Sequence, residues 1–314
     1  VPKTKGLLLI DVQGTSLSPE DVAVLSHPAV CGVVLFQKNY DNPAQLADLC
    51  AAIHAVKPAL WITVDQEGGR VQRFKTGFSE LAPLSDFGRW YDNDPAAATQ
   101  GLITQTKIMV SELQACGIDM TLHPVLDLDF GLSAIIGTRS LHRDPTVVTQ
   151  LAGQLITTMR AMGMPSMGKH FPGHGGVVPD SHVALPIEER SLAALWEEDM
   201  LPYRRLLEQL DAVMLSHVRY PDVDELPASL SPVWINILRQ QLGYTGLIVT
   251  DCLSMAAIAS EYDPLTRAGL AFEAGCDVLI WCNERSAVLT VLEQHDGGIE
   301  PTTAGRFARV VPRP

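Results

Sequence analysis

Leu60-Trp-Ile-Thr-Val-Asp65-Gln-Glu-Gly-Gly-Arg70-Val-Gln-Arg73 begins as an unbroken apolar, β-branched run and then turns abruptly polar. A strand with one wet face alternates apolar and polar residues. A strand apolar throughout is buried on both faces, as in a parallel sheet covered by helices. The pattern recurs along the chain. Strand candidates are Gly6–Asp11, Gly32–Phe36, Leu60–Asp65, Asp119–His123, Ser166–His170, Ala212–Ser216, Gly246–Asp251 and Asp277–Trp281. Helix-like stretches lie between them: Pro43–Val56, Ala96–Ala115, Pro145–Met162, Ser191–Gln209, Pro232–Gln241, Leu265–Ala274 and Ser286–Gln294. Asn42 before Pro43 and Asp144 before Pro145 are helix starts. A βα unit takes about 30 residues, so eight of them in 314 residues predict an α/β fold of the (β/α)8 TIM-barrel type, with irregular strands allowed. A doubly wound open sheet is the alternative, but the first βα turn, Asp11-Val-Gln-Gly-Thr15, lacks the three-glycine dinucleotide fingerprint. No linker or low-complexity tract interrupts the chain, which predicts one domain over residues 1–314.

Composition narrows the class of function. The chain is 46% apolar and 19% charged, as expected of a soluble globular protein. The net charge of −13, with no basic cluster, argues against nucleic acid as a partner, because phosphate binding needs concentrated Lys and Arg. The longest apolar runs are strand-sized, so no membrane span is expected, and no leader segment is visible. Six scattered cysteines form no C-x-x-C pair and read as free thiols in a reducing, cytoplasmic setting.

Active sites of barrels lie at the C-terminal strand ends. Here the third strand runs into Asp65, the fourth toward Asp127 and Asp129, and the fifth into Lys169 and His170; the sixth reaches His217, the seventh Asp251 and the eighth Asn283. A lone Asp after a strand is usually a helix cap, but polar groups at six strand ends need another account. Asp65, Arg73, Lys169 and His170 combine acceptors and donors suited to a ring of hydroxyls, and Arg139 adds a donor on a turn-rich loop. A sugar fits that set. Phosphate does not, since no Gly-rich loop has P-loop spacing.

Lys169-His-Phe-Pro-Gly-His-Gly-Gly-Val-Val-Pro-Asp180-Ser-His182 is a shaped loop crowded with titratable groups. His170, His174, Asp180 and His182 raise a metal reading. Pro172-Gly173 opposes it, because the four-residue histidine spacing has ligand geometry only on a continuous helix.

Asp65-Gln-Glu-Gly-Gly-Arg-Val-Gln-Arg-Phe74, Pro124-Val-Leu-Asp-Leu-Asp129, Lys169-His-Phe-Pro-Gly-His-Gly175, Asp180-Ser-His182 and Val249-Thr-Asp-Cys-Leu-Ser-Met255 together resemble glycoside hydrolase family 3. The likeness runs from about Gly6 to Asn283 and leans toward the bacterial single-domain β-N-acetylglucosaminidases of peptidoglycan recycling. It implies a retaining hydrolase with Asp251 as nucleophile. His182, paired with Asp180, would be the acid/base in place of the usual second carboxyl. Asp65, Arg73, Arg139, Lys169 and His170 match sugar-binding positions; His217 and Met255 are weaker candidates for the pocket wall. His174 reads as loop scaffold, and Glu67 and Arg70 as ion-pair residues outside the catalytic set.

The implied substrate is a small molecule, a GlcNAc-1,6-anhydroMurNAc peptide, handled without cofactor or metal by a monomer or weak dimer. Two alternatives stand beside it. One is a phosphorylase, because a neutral histidine repels incoming phosphate less than a carboxylate does. The other is a GlcNAc-binding barrel without turnover. Two departures from the family pattern are Cys252 after the nucleophile, where another polar residue is more usual, and Leu141, where an aromatic is more common.

Overall fold

The computed structural model describes residues 6–177 and 185–310. Eight parallel strands form the central sheet: β1 (Leu7–Ile10), β2 (Val30–Leu35), β3 (Trp61–Val64), β4 (Met120–Thr121), β5 (Met167–Phe171), β6 (Ala212–Leu215), β7 (Leu247–Thr250) and β8 (Val278–Trp281). Neighbours pair in chain order from β1 to β4 and from β5 to β8, and β8 pairs back onto β1. The ring closes beyond the two residues of β4. Met167 and Lys169 donate their amides to the carbonyls of His123 (2.8 Å) and Pro124 (3.1 Å), and Leu126 donates to the carbonyl of Lys169 (2.7 Å). The fold is the TIM-barrel type that the strand pattern predicts.

Side chains alternate across the barrel wall, which explains the continuous apolar runs. Leu7, Leu9, Val34, Met167, Met214 and Val249 belong to a core inside the ring. Their neighbours Leu8, Ile10, Val33, Leu35, Val213 and Ile248 belong to the larger core under the surrounding helices. Both faces are buried, so neither tolerates a polar alternation. At the N-terminal end, Val310 of helix Pro301–Val310 joins the inner core, and Phe307 packs edge-on against Trp61 at 5.9 Å. Asp277 ties that helix down by accepting from Thr303 (2.7 Å) and Arg306 (2.8 Å). The other end of the barrel holds the site.

The expected helix starts hold: Asn42 caps Pro43–Val56 and Asp144 caps Pro145–Ala161, each with its side-chain oxygen. One expected helix is broken. Ser191–Gln209 divides into Leu192–Glu197, Leu201–Leu206 and a 3-10 turn at Leu207–Gln209. Pro202 has no amide proton and fits only the first turn of a helix, so a new helix begins there. Pro232–Gln241 likewise passes from α-helix into a wider π turn at Ile237. No helix among the described residues is long and apolar enough to cross a membrane.

Candidate active site

The Asp65–Arg73 motif folds as a hairpin at the end of β3. Gln66–Gly68 pairs antiparallel with Val71–Gln72. Gly68 (φ +107°) and Gly69 (φ +55°) make the turn in a region that L side chains rarely occupy. Gln66 accepts the amides of Arg73 (2.9 Å) and Phe74 (3.1 Å), while Gln72 donates to the carbonyls of Phe74 (3.0 Å) and Ser79 (2.8 Å). The two glutamines therefore fix the backbone that carries Arg73. Its guanidinium meets the Asp65 carboxylate at 3.1 Å.

Beneath the hairpin lies a charged cluster. Lys169 Nζ is 2.8 Å from Asp65 Oδ1 and 2.6 Å from Glu67 Oε1. Glu67 also takes Arg139 in a two-pronged pair, at 2.7 Å from Nε and 2.8 Å from the terminal nitrogen. Two cations thus share one buried carboxylate, and Lys169 bridges it to Asp65. Burial alone would raise Asp65, but Lys169 and Arg73 outweigh it and bring the carboxyl down to about 2. The same balance, with Arg139 the leading counter-charge, holds Glu67 well below the usual carboxylate range. His123, behind this cluster, is pushed down to about 4 by burial, with Lys169 and Arg139 adding to the effect and Glu67 opposing it.

Asp127 is buried and acts on the start of the loop. It accepts the His170 ring at Nδ1 (2.7 Å), the His170 amide (3.2 Å) and the His174 amide (2.8 Å). A carboxylate has no proton to give, so His170 carries its proton on Nδ1 and keeps Nε2 for another contact. Asp251 follows β7 and accepts from the amide of Cys252 at 2.7 Å. Burial would raise it, yet His170 and His217 together with that amide hold it below its ordinary value. It is an ionised carboxylate at neutral pH.

These groups border one cavity of about 460 Å³ at the C-terminal end of the barrel, the size of a small-molecule site. Asp65, Arg73, Arg139, Lys169, His170 and Asp251 all line it. Met255 lines it too, and so does His174, which the sequence reading leaves as scaffold. His217 stands behind the wall instead, with its ring bonded to Ser229 (2.6 Å) and to the carbonyl of Cys252 (2.9 Å). Asp129 turns away to cap the amide of Gly131. Asp180 and His182 lie outside the described residues.

Two residues that the sequence reading sets outside the catalytic set, Glu67 and Arg70, belong to the cavity's surroundings, and a third, Phe36, escapes that reading. Glu67 is the shared counter-charge of two cavity cations, and the only sequence signal for it is its place inside the motif. Arg70 lines the cavity mouth and donates to the carbonyl of Ile135. Phe36 contributes an aromatic wall with Arg73 and Lys38 over its ring, at 5.8 and 5.7 Å. Nothing in the short run after β2 marks Phe36 as anything but core. Among the described residues, no group of three or more His, Cys, Asp or Glu side chains is arranged to hold a metal ion.

A parallel barrel whose carboxyl-end cavity is lined by the ionised carboxylates Asp65 and Asp251 together with Arg73, Arg139, Lys169 and His170 has the build of a barrel glycosidase. The chain belongs to glycoside hydrolase family 3: the family's N-terminal domain matches residues 2–308. It is 46% identical over 313 residues to a β-hexosaminidase of Alkalilimnicola ehrlichii, covering 98% of this chain and 89% of that protein. A β-hexosaminidase of Nitrosospira multiformis is 41% identical with the same coverage. The crystal structure of native NagZ from Neisseria gonorrhoeae superposes with a TM-score of 0.92 at 41% identity, over 99% of this chain and 91% of that one.

Proposed function

We propose that this glycoside hydrolase is a retaining exo-β-N-acetylglucosaminidase that removes terminal GlcNAc from 1,6-anhydro-muropeptides in the cytoplasm, as a step of peptidoglycan recycling. The observation that carries the reading is the ionised Asp251 carboxylate in a cavity with Asp65, Arg73, Arg139, Lys169 and His170. The names of the β-hexosaminidase and NagZ relatives support the choice of sugar. Residues 1–314 act as one catalytic domain, monomeric or weakly dimeric, with no cofactor.

In the first step an Asp251 oxygen bonds to the anomeric carbon as the bond from that carbon to the departing oxygen breaks. His182 gives its proton to that oxygen, and Asp180 holds the imidazole and balances its cationic form. In the second step water attacks the anomeric carbon, His182 takes a proton from the water, and Asp251 is released. This assignment of His182 and Asp180 rests on the Asp180-Ser-His182 motif. Asp65, Arg73, Arg139, Lys169 and His170 hold the sugar hydroxyls, which supplies orientation. Their ion pairs keep the donors fixed before substrate arrives, so little reorganisation remains for the reaction.

A 2-fluoro-GlcNAc donor with an activated leaving group traps the covalent intermediate, and peptide mass mapping then reads the labelled residue. Label on Asp251 is expected, and label on any other residue overturns the assignment. Product analysis on a purified anhydro-muropeptide, with and without phosphate, checks sugar, linkage and acceptor together. Free GlcNAc is expected under both conditions.

A further inference from the structure

Cys252 and Cys282 stand side by side on the wall of the cavity. Cys252 follows the candidate nucleophile and Cys282 follows β8, and both line the cavity. Cys252 Sγ is 3.2 Å from Ser254 Oγ and accepts the amide of Cys282 at 3.3 Å. The same sulfur lies 3.9 Å from the Cys282 carbonyl oxygen. Of the six cysteines, Cys252 alone is half-buried, and the other five are fully buried. Burial pushes the thiols of Cys31 and Cys50 up to about 12, and raises those of Cys116 and Cys276 as well. At Cys252 the bond with Cys282 outweighs burial and lowers the thiol below its ordinary value, while Cys282, raised by burial and by its neighbour, keeps its proton. A thiol that ionises first, is open to a cavity and lies against the backbone of a second cysteine has the arrangement of an attacking and resolving pair.

We propose that Cys252 is an oxidative modification site inside the substrate cavity, with Cys282 as its resolving thiol and hydrogen peroxide, or another small hydroperoxide, as the reagent. The Cys252 thiolate attacks one peroxide oxygen, the O–O bond breaks, and hydroxide leaves, giving a sulfenic acid on Cys252. The Cys282 sulfur then attacks the Cys252 sulfur and its proton leaves with the hydroxyl as water, which closes a Cys252–Cys282 disulfide. Sulfur is oxidised and peroxide reduced. Thiol reductant reverses the product.

The consequence for the enzyme follows from what else Cys252 holds. Its amide donates to Asp251 Oδ1 at 2.7 Å and its carbonyl accepts from His217 at 2.9 Å. Drawing its sulfur into a disulfide shifts both bonds, and with them the carboxylate. Oxidation therefore lowers turnover without unfolding the barrel.

The test treats the full chain with hydrogen peroxide, quenches it, and maps peptides without reduction. A linked Cys252–Cys282 pair is expected, with Cys31, Cys50, Cys116 and Cys276 still alkylatable after denaturation. Activity on an aryl β-GlcNAc should fall roughly tenfold or more and return with dithiothreitol. In Cys282→Ser the reaction should stop at the sulfenic acid, trapped on Cys252 by dimedone. Recovery of Cys252 as a free thiol after peroxide, or its linkage to a different cysteine, overturns the proposal. The peptide readout needs no turnover, so it stands apart from the proposed activity. If the reduced enzyme cleaves no GlcNAc substrate, the functional reading fails while the thiol chemistry is still decided.

Discussion

Glu67 shows how a carboxylate outside the cavity lining can hold two cations that line it. Its carboxylate is about 1% exposed and neutralises both Arg139 and Lys169. Removing one member of a buried charge group leaves the others uncompensated, at a cost of about 3–5 kcal/mol. Glu67→Gln is therefore expected to lower the thermal midpoint by several degrees and to weaken binding of GlcNAc, read by calorimetry on the same protein. A midpoint within error of the parent would mean that the cations find other partners. A second prediction concerns the proposed proton donor, His182. His182→Ala should lose far more activity on natural substrates than on activated aryl glycosides, because a good leaving group departs without a proton. Equal losses would remove His182 from that role.

At the scale of elements, the hairpin after β3 is the piece that carries Arg73 to the cavity. A Cβ at Gly68 would sit 2.4 Å from the carbonyl oxygen of Ala82, on a backbone with φ of +107°. Gly163 also has positive φ (+77°), but a Cβ there meets nothing within 4 Å. Gly163→Ala should cost only the backbone penalty, about 1–2 kcal/mol. Gly68→Ala adds a clash with main chain that moves the hairpin, so its denaturation midpoint should fall further and its KM for an aryl β-GlcNAc should rise as Arg73 shifts. Matching midpoints and unchanged KM in the two variants would argue against the hairpin as the positioning element. Proline made the helix starts at Pro43 and Pro145 legible, whereas the turn at Gly68-Gly69 and the break at Pro202 inside the expected Ser191–Gln209 helix were read only from the structure. That last signal is local as well, but helical periodicity on both sides of the proline conceals it.

The whole molecule carries a charge cluster under its cavity, and acid should undo it in two stages. His123 takes up its proton near 6.5 when unfolded and near 4 when folded. Between those values the unfolded chain binds more protons, so stability falls as pH falls through that window. Asp65 moves the same way from 3.8 to about 2, and its contribution is present above 3.8 and lost as pH drops toward 2. Each stage is on the order of 2–3 kcal/mol. Asp199, raised to about 6 by burial, works in the opposite direction over the same window, so the readout for His123 is a difference between two proteins. The urea midpoint of the parent, measured against that of His123→Asn, should fall from pH 7 to 4, and the parent should decline again below 4; a pH-independent difference between the two would contradict the burial of a neutral His123.

What the sequence determined by itself is periodic or local: strands apolar on both faces, helices with their caps, polar residues where the strands stop, and motifs that carry a family likeness. These follow from short-range sterics and from the hydrophobic pattern, which a linear chain displays directly. The tertiary structure decided which polar strand ends face one another. Asp65, Lys169 and Asp251 come from three separate strands yet share a cavity, whereas Asp127 and His217, at equally suggestive strand ends, stand behind its wall as supports. It also decided that the ring closes through His123–Leu126 rather than along a full fourth strand. The reason is register. A shift of one residue exchanges the inner and outer faces of a strand, and register is fixed by neighbours distant in sequence, so the inward-facing set exists only once the barrel has closed.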